Sequence, residues 1–284
     1  MARDTLPPVD RSPSPRAEAR GEGRGEGQPH TPAQVSAPHP SPLPARAGRG
    51  DGGRGFAATR VWIFDLDNTL YPAECNLFAE VDRRMGEYIA RYLGVPFAYA
   101  RHLQKSYYRQ FGTTLTGLMR VHKMEPTPFL DYVHDIDLAA VPEAPALRSA
   151  IARLPGRKLI FTNGSRRHAE RVADKLGLLD LFEDICDIAA CGYVAKPDAQ
   201  SFERMIRRHG VAETEAAMFD DMPINLEAPH ALGMTTVLVH SSTMDHPVQL
   251  EIKAWTEPPE HVHHMTEDLQ GFLEGVWPGG DRVP

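Results

Sequence analysis

Residues 60–69 read RVWIFDLDNT, and this stretch decides the architecture. Val61 to Phe64 are β-branched or aromatic, and the run stops at an acid, Asp65. It predicts a strand over Arg60–Asp65 whose carboxyl end opens on Asp65-Leu66-Asp67-Asn68-Thr69.

Downstream the pattern alternates. A helix is expected over roughly 143–154, followed by a strand at Lys158–Asn163 (KLIFTN). Ser165 can cap a helix over 166–176 that Gly177 closes. A short strand fits Asp184–Ile188, and Pro197-Asp198 opens a helix to about His209, closed by Gly210. The strand Glu215–Asp220 (EAAMFD) ends in acids, helical turns run to Leu232, and Thr235–His240 (TTVLVH) reads as a strand. Residues 245–284 read as a loop, a short strand near His261–Met265 and a helix near Asp268–Val276. Strands alternating with helices of about 10–15 residues imply an α/β fold with a parallel sheet and crossover helices. Residues 74–135 interrupt this order. They look helical, with punctuation near 94–96, 112–117 and 125–128, and read as a separate cap.

Upstream the composition changes. Residues 1–58 hold 10 of the 25 prolines and 9 of the 23 glycines, and no Ile, Tyr, Trp or Lys. Such a stretch cannot bury enough surface to offset the entropy of ordering, so it is expected to be a disordered tail. Its GEGRGEG run, residues 21–27, follows no strand and opens no helix, which argues against a phosphate loop. The expected organisation is therefore a tail over 1–58, a catalytic core over 59–73 and 140–284, and a helical cap over 74–139.

Bulk properties exclude several classes. No apolar run reaches the roughly 18–20 residues of a membrane-spanning helix, and the N-terminus lacks the apolar segment of a secretory signal. The net charge is −7, and the tail is slightly basic, so the body is more acidic still and a poor general binder of nucleic acid. Three cysteines, Cys75, Cys186 and Cys191, form no CxxC pair and suit a reducing, cytoplasmic setting.

The distinctive polar groups all fall at strand ends, where open parallel sheets bind ligands. Asp65 and Asp67 end the first strand, and Thr162-Asn163-Gly164-Ser165 the second. Lys196-Pro197 precedes the third crossover helix, and Asp220-Asp221 ends the fourth strand, with Asn225 beyond it. Singly, each has a plain reading: the acids as helix caps, Thr-Asn-Gly as a turn, Lys-Pro as surface. Their order and shared placement favour a site. Clustered carboxylates repel unless a cation joins them, and hard oxygen ligands suit Mg²⁺. A hydroxyl, a glycine turn at a helix N-terminus and a lysine suit a phosphate. Together these are the equipment of phosphoryl transfer through an aspartyl-phosphate.

The ordered quartet, led by Asp65-Leu66-Asp67-Asn68-Thr69 in the form hhhDxDxT, resembles the haloacid dehalogenase superfamily over roughly residues 60–275. The resemblance implies a Rossmann-like sheet with a helical cap after the first strand. It implies that Asp65 attacks phosphorus and that Asp67 is the acid and base. Thr162, with the Asn163 and Gly164 backbone, would bind the phosphoryl oxygens, and Lys196 would neutralise them. Mg²⁺ would be held by Asp65, the Asp67 carbonyl and Asp221, with Asp220 either a ligand or an orienting neighbour. Asn225 stands where relatives often carry a further acid. Dehalogenases lack the second acid, because a halide leaves without a proton, so Asp67 favours phosphate esters.

The segments YYRQFGTTLTGL (107–118), YVHDID (132–137), FTNGSRRHAER (161–171) and PHALGMTTVLV (229–239) are similar to the pyrimidine 5′-nucleotidase group. That implies hydrolysis of a nucleoside monophosphate; another small ester, such as phosphoglycolate or a sugar phosphate, is the alternative substrate, and a monomer or homodimer is expected. Residues 71–135 hold 11 of the 22 aromatics, which can stack on a base or pack the cap at Phe78, Tyr88, Tyr92, Phe111 and Phe129. Thr113 and Thr114 either reach a base or sugar or form a turn between helices. Asn68 and Tyr71 are placed to line the pocket. Arg166-Arg167-His168 either attracts an anion or forms a solvated face. His261, His263 and His264, with His246, read as a polar sheet margin or, less simply, a metal site. Cys186 and Cys191 read as small core or loop residues.

Overall fold

The computed structural model describes residues 55–241 and 247–276. The expected tail and its glycine-rich run lie outside them, apart from residues 55–58, as does His246.

Six parallel strands form one sheet: β1 (Val61–Phe64), β2 (Arg157–Phe161), β3 (Asp184–Cys186), β4 (Ala216–Asp220), β5 (Thr235–Val239) and β6 (His264–Thr266). Their order is β3-β2-β1-β4-β5-β6, all in parallel register. The order reverses beside β1, and that reversal opens a crevice beyond the carboxyl ends of the strands. Register then places the chemistry: Phe64 pairs with both Ile160 and Phe219, and the Asp65 N–H donates to the Phe219 carbonyl at 2.8 Å. Asp65 and Asp220 therefore emerge side by side.

Side chains alternate across the sheet. Trp62 and Phe64 face one buried cluster with Phe219 and Val237, where the Phe64 and Phe219 rings stack at 4.6 Å. Val61 and Ile63 face the other, with Leu159, Met218 and Phe202. Between β1 and β2 the chain first forms α1 (Leu77–Leu93), α2 (Phe97–Phe111), α3 (Thr114–His122) and α4 (Pro126–Val133), before the helix that leads into β2. They share the first cluster through Ile89, Leu118, Phe129 and Val133. Helices α5 (Pro145–Arg153), α6 (Arg166–Lys175), α7 (Ala199–His209), α8 (Glu227–Ala231), α9 (Pro247–Lys253) and α10 (Leu269–Gly275) complete the described chain.

Ser165 and Asp198 act as N-caps of α6 and α7, accepting from the His168 and Gln200 N–H groups. Gly177 and Gly210 follow these helices with positive φ. Three expectations shift. The expected break falls at Gly112, which ends α2 with φ +80, whereas Gly117 lies inside α3, where a Cβ would stand 2.4 Å from Tyr107 Cβ. Residues 247–253, read as loop, form α9. The last strand starts later, at His264, since its polar, histidine-rich sequence carries no clear alternation. Phe78 is 42% exposed, whereas Tyr88 packs edge-on against Phe129. No helix among the described residues is long and apolar enough to cross a membrane.

Candidate active site

The turn after β1 carries Asp65, buried at its mouth, then Asp67, Asn68 and Thr69. Asn68 adopts φ +60, which Asn tolerates better than most side-chain-bearing residues, and its amide donates to Asp221 Oδ2 at 3.4 Å. Lys196 is 2% exposed, and its three N–H donors meet three acceptors. These are Asp65 Oδ1 at 2.7 Å, Asp220 Oδ2 at 2.6 Å and the Phe161 carbonyl at 2.9 Å. The Asn163 side chain fixes the lysine's backbone: its oxygen accepts from Lys196 N–H at 2.8 Å and its amide donates to the Lys196 carbonyl at 3.1 Å.

Asp220 is fully enclosed. Its second oxygen accepts from Asn225 Nδ2 at 2.8 Å and from the Met222 N–H at 3.0 Å, so both oxygens are engaged. Asp221 is half-buried, with the long Asn68 contact on one oxygen. Oxygens of Asp65, Asp220 and Asp221 lie within 4.8 Å of one another. Burial, then the charges of Asp220 and Asp67 against the opposing pull of Lys196, push the Asp65 carboxyl up to about 7. Burial and the charges of Asp220 and Asp65 likewise push Asp221 far above the usual carboxylate range. One lysine does not balance this cluster, and a hard divalent cation with oxygen ligands fits its donor set.

Asp67 has a different setting. Burial alone would raise it, but the charge and hydrogen bond of His168, with the Tyr71 hydroxyl, bring it down to about 2. Both donors reach one oxygen: His168 Nε2 lies 2.9 Å and Tyr71 Oη 2.7 Å from Asp67 Oδ1. Across from it, the Gly164 N–H donates to Thr162 Oγ1 at 2.9 Å, which leaves the threonine O–H free to donate. The Gly164 N–H was expected to face a phosphate; it serves this turn instead. A Cβ at Gly164 would come within 3.2 Å of the Thr162 hydroxyl and 3.8 Å of Asp67 Oδ2.

The structure thus brings together Asp65, Asp67, Thr162, Gly164, Lys196, Asp220 and Asp221, with Asn163 behind them. Thr113 and Thr114 are committed elsewhere among the described residues. Thr113 caps α3 by accepting from the Thr116 N–H, and Thr114 donates to the Gln104 carbonyl at 3.2 Å. They form the turn between helices. From the same helical layer, Tyr108 is half-exposed within electrostatic reach of Asp221, and burial with that charge raises its phenol.

Sequence reading missed His134 and gave His168 another setting: it is 1% exposed rather than on a solvated face, and its Nε2 meets the Asp67 carboxylate. The missing signal was helical spacing: His168 shares the buried stripe of α6 with Ala169, Val172 and Ala173. Arg166 points away, to Asp184 at 2.6 Å, and Arg167 is exposed. Among the remaining candidates, His263 bonds to Thr236 at the sheet margin, and Cys186 and Cys191 are buried free thiols with sulfurs 3.6 Å apart.

Comparison with known proteins identifies the family. Phosphate metabolism protein 8 of Saccharomyces cerevisiae is 27% identical over 201 residues, covering 64% of this chain. The chain spans 61% of that relative's length. The structure of a HAD phosphatase from Thermococcus onnurineus aligns with TM-score 0.52 at 18% identity, covering 79% of this chain and all of that one, a likeness of fold. The family model described as haloacid dehalogenase-like hydrolase matches residues 59–233, from the threshold of β1 to the approach to β5. With its α/β sheet and acidic strand ends, the chain belongs to the haloacid dehalogenase-like hydrolases.

Proposed function

We propose that this hydrolase cleaves phosphate monoesters through an aspartyl-phosphate on Asp65, and that its substrates are pyrimidine nucleoside 5′-monophosphates. One observation carries the chemistry: a second, clamped carboxylate, Asp67, faces the same crevice as Asp65. A halide needs no proton on departure, whereas an alkoxide does.

In the first step a carboxylate oxygen of Asp65 attacks phosphorus as the ester P–O bond breaks. The departing oxygen takes a proton from Asp67 Oδ2. The incoming ester adds negative charge beside Asp67, which favours its protonated form despite the low resting value. In the second step water attacks the same phosphorus and gives its proton to Asp67, and the Asp65 carboxylate leaves with inorganic phosphate formed. Lys196 offsets the charge of Asp65 and the phosphoryl group, and Thr162 donates its O–H to a phosphoryl oxygen. Asp65, the Asp67 main-chain carbonyl and Asp221 would hold Mg²⁺; Asp220, whose oxygens are taken, orients Lys196 and Asn225. Bound there, the ion supplies positive charge that relieves the carboxylate repulsion and stabilises developing phosphoryl charge.

The nucleotide assignment is supported by the resemblance of four segments to pyrimidine 5′-nucleotidases. Tyr108 adds an aromatic face near Asp221, on which a base can stack. Residues 74–139 are proposed as the cap that supplies it. The test is phosphate release from UMP, CMP, 2-phosphoglycolate and sugar phosphates, with Mg²⁺ and with EDTA. The expected result is Mg²⁺-dependent release with the highest kcat/KM on UMP or CMP. Preference for another ester would overturn the substrate, and no release from a folded protein would overturn the chemistry. Tyr108→Ala is expected to raise KM for UMP about tenfold and leave phosphoglycolate nearly unchanged.

A further inference from the structure

His168 is a buried polar side chain that the two steps above do not use. Its Nε2 and the Tyr71 hydroxyl converge on Asp67 Oδ1, at 2.9 Å and 2.7 Å. Asp67 Oδ2 receives neither bond and lies on the side of the Thr162–Gly164 turn. His134, which follows α4, lies flat against His168, with ring centroids 4.4 Å apart and planes 12° apart. Its Nδ1 is hydrogen-bonded to Ser165 Oγ at 2.9 Å. Arg171 holds the same segment by donating to the His134 and Ile136 carbonyls, each at 2.8 Å.

We propose that His168, together with Tyr71, is a positioning residue for Asp67: the two donors clamp Oδ1 and so present Oδ2 to the oxygen that leaves phosphorus. The inference rests on the reading of Asp67 as the general acid. A carboxyl group free to turn offers either oxygen, and turning this one would break two hydrogen bonds at once. Asp67 Oδ1 is an oxygen that accepts, so the Nε2 facing it carries the donor proton of this hydrogen bond. The His134 ring covers the outer face of His168 and holds its tilt. During the first step the Asp65 O–P bond forms, the ester P–O bond breaks and the Asp67 Oδ2 proton moves to the departing oxygen. His168 and Tyr71 keep their own protons throughout.

Leaving-group dependence tests this. The full-length protein and its His168→Leu, His168→Gln and Tyr71→Phe variants are assayed with Mg²⁺ on UMP, 2-phosphoglycolate and p-nitrophenyl phosphate. The first two release alkoxides that need a proton; the third releases a stabilised phenolate that does not. His168→Leu is expected to lower the single-turnover rate of leaving-group release, the first step, by about 10–100-fold on whichever alkyl ester the wild type prefers, while p-nitrophenol release in the same step stays within about threefold. His168→Gln, which keeps an N–H donor of similar reach, is expected to recover much of the loss. Tyr71→Phe is expected to show the same split in smaller measure, and it decides the matter if His168→Leu does not fold. Equal losses on both ester types, or none, would overturn the positioning role while the phosphatase reading stands. No hydrolysis by the wild type of any ester would overturn that reading and this inference with it.

Discussion

Asp65 and Gly164 are the residues at which small changes speak most directly. Asp65→Asn removes the attacking oxygen's charge and is expected to lower kcat by about 10³-fold or more, with an unchanged circular dichroism spectrum. Gly164→Ala would press a methyl group against the Thr162 hydroxyl at 3.2 Å, on the side facing Asp67. The expected result is a loss of about tenfold in kcat with at most about 1 kcal/mol in stability, read by kinetics and urea unfolding. These residues were legible in the sequence because their positions are local: each stands one to three residues past a strand, and parallel strands end on one side. His168 was not legible, since RRHAER reads as a charge run when taken linearly. Only the helical face turns His168 inward while Arg167 stays out. Nor does the sequence tell which of Asp220 and Asp221 has its oxygens engaged, because that depends on Lys196, Asn225 and Met222 meeting at one carboxylate.

At the scale of elements, the junction of α4 with α6 has the sharpest consequences. Ser165 Oγ serves both as the N-cap of α6 and as the partner of His134. Ser165→Ala is expected to cost about 1–2 kcal/mol in urea unfolding, as both bonds go. His134 also gives this junction a pH dependence. Burial, then the neighbouring His168, hold its imidazole down to about 3, against an ordinary value of 6.5. Above 6.5 the ring is neutral in both folded and unfolded chains, and its contribution is fully present. As pH falls from 6.5 towards 3 the unfolded chain takes the proton first, and stability is lost at up to about 1.4 kcal/mol per pH unit. Relative to His134→Asn, the wild type should therefore lose stability between pH 6.5 and 5; parallel curves would contradict this. Element order and type were legible from the alternation of short apolar runs with helical stripes. The boundaries were less so: β2 stops at Phe161, because Asn163 turns its side chain to the Lys196 backbone rather than extending the strand. Gly117 looked like a break, yet it is the contact that lets α2 and α3 meet.

At the scale of the whole molecule, the sheet crowds the Asp65, Asp220 and Asp221 carboxylates at its switch point, and a bound cation would relieve their repulsion. A carboxyl raised in the folded state costs stability above its unfolded value, so Asp221→Asn should raise the metal-free Tm at pH 8 by a few degrees, about 2–4 °C per kcal/mol. Mg²⁺ should raise the Tm of the wild type by mass action and that of the variant hardly at all; an unresponsive wild type would contradict the cation site. The central claim is that phosphorus becomes bonded to Asp65. Borohydride reduces an acyl phosphate to an alcohol, so quenching the enzyme with it during turnover of UMP with Mg²⁺ marks the attacked carboxyl for peptide mass spectrometry. The account predicts the mark at residue 65 and its absence in Asp65→Asn; turnover with no mark at residue 65, or a mark on another acid, would contradict it.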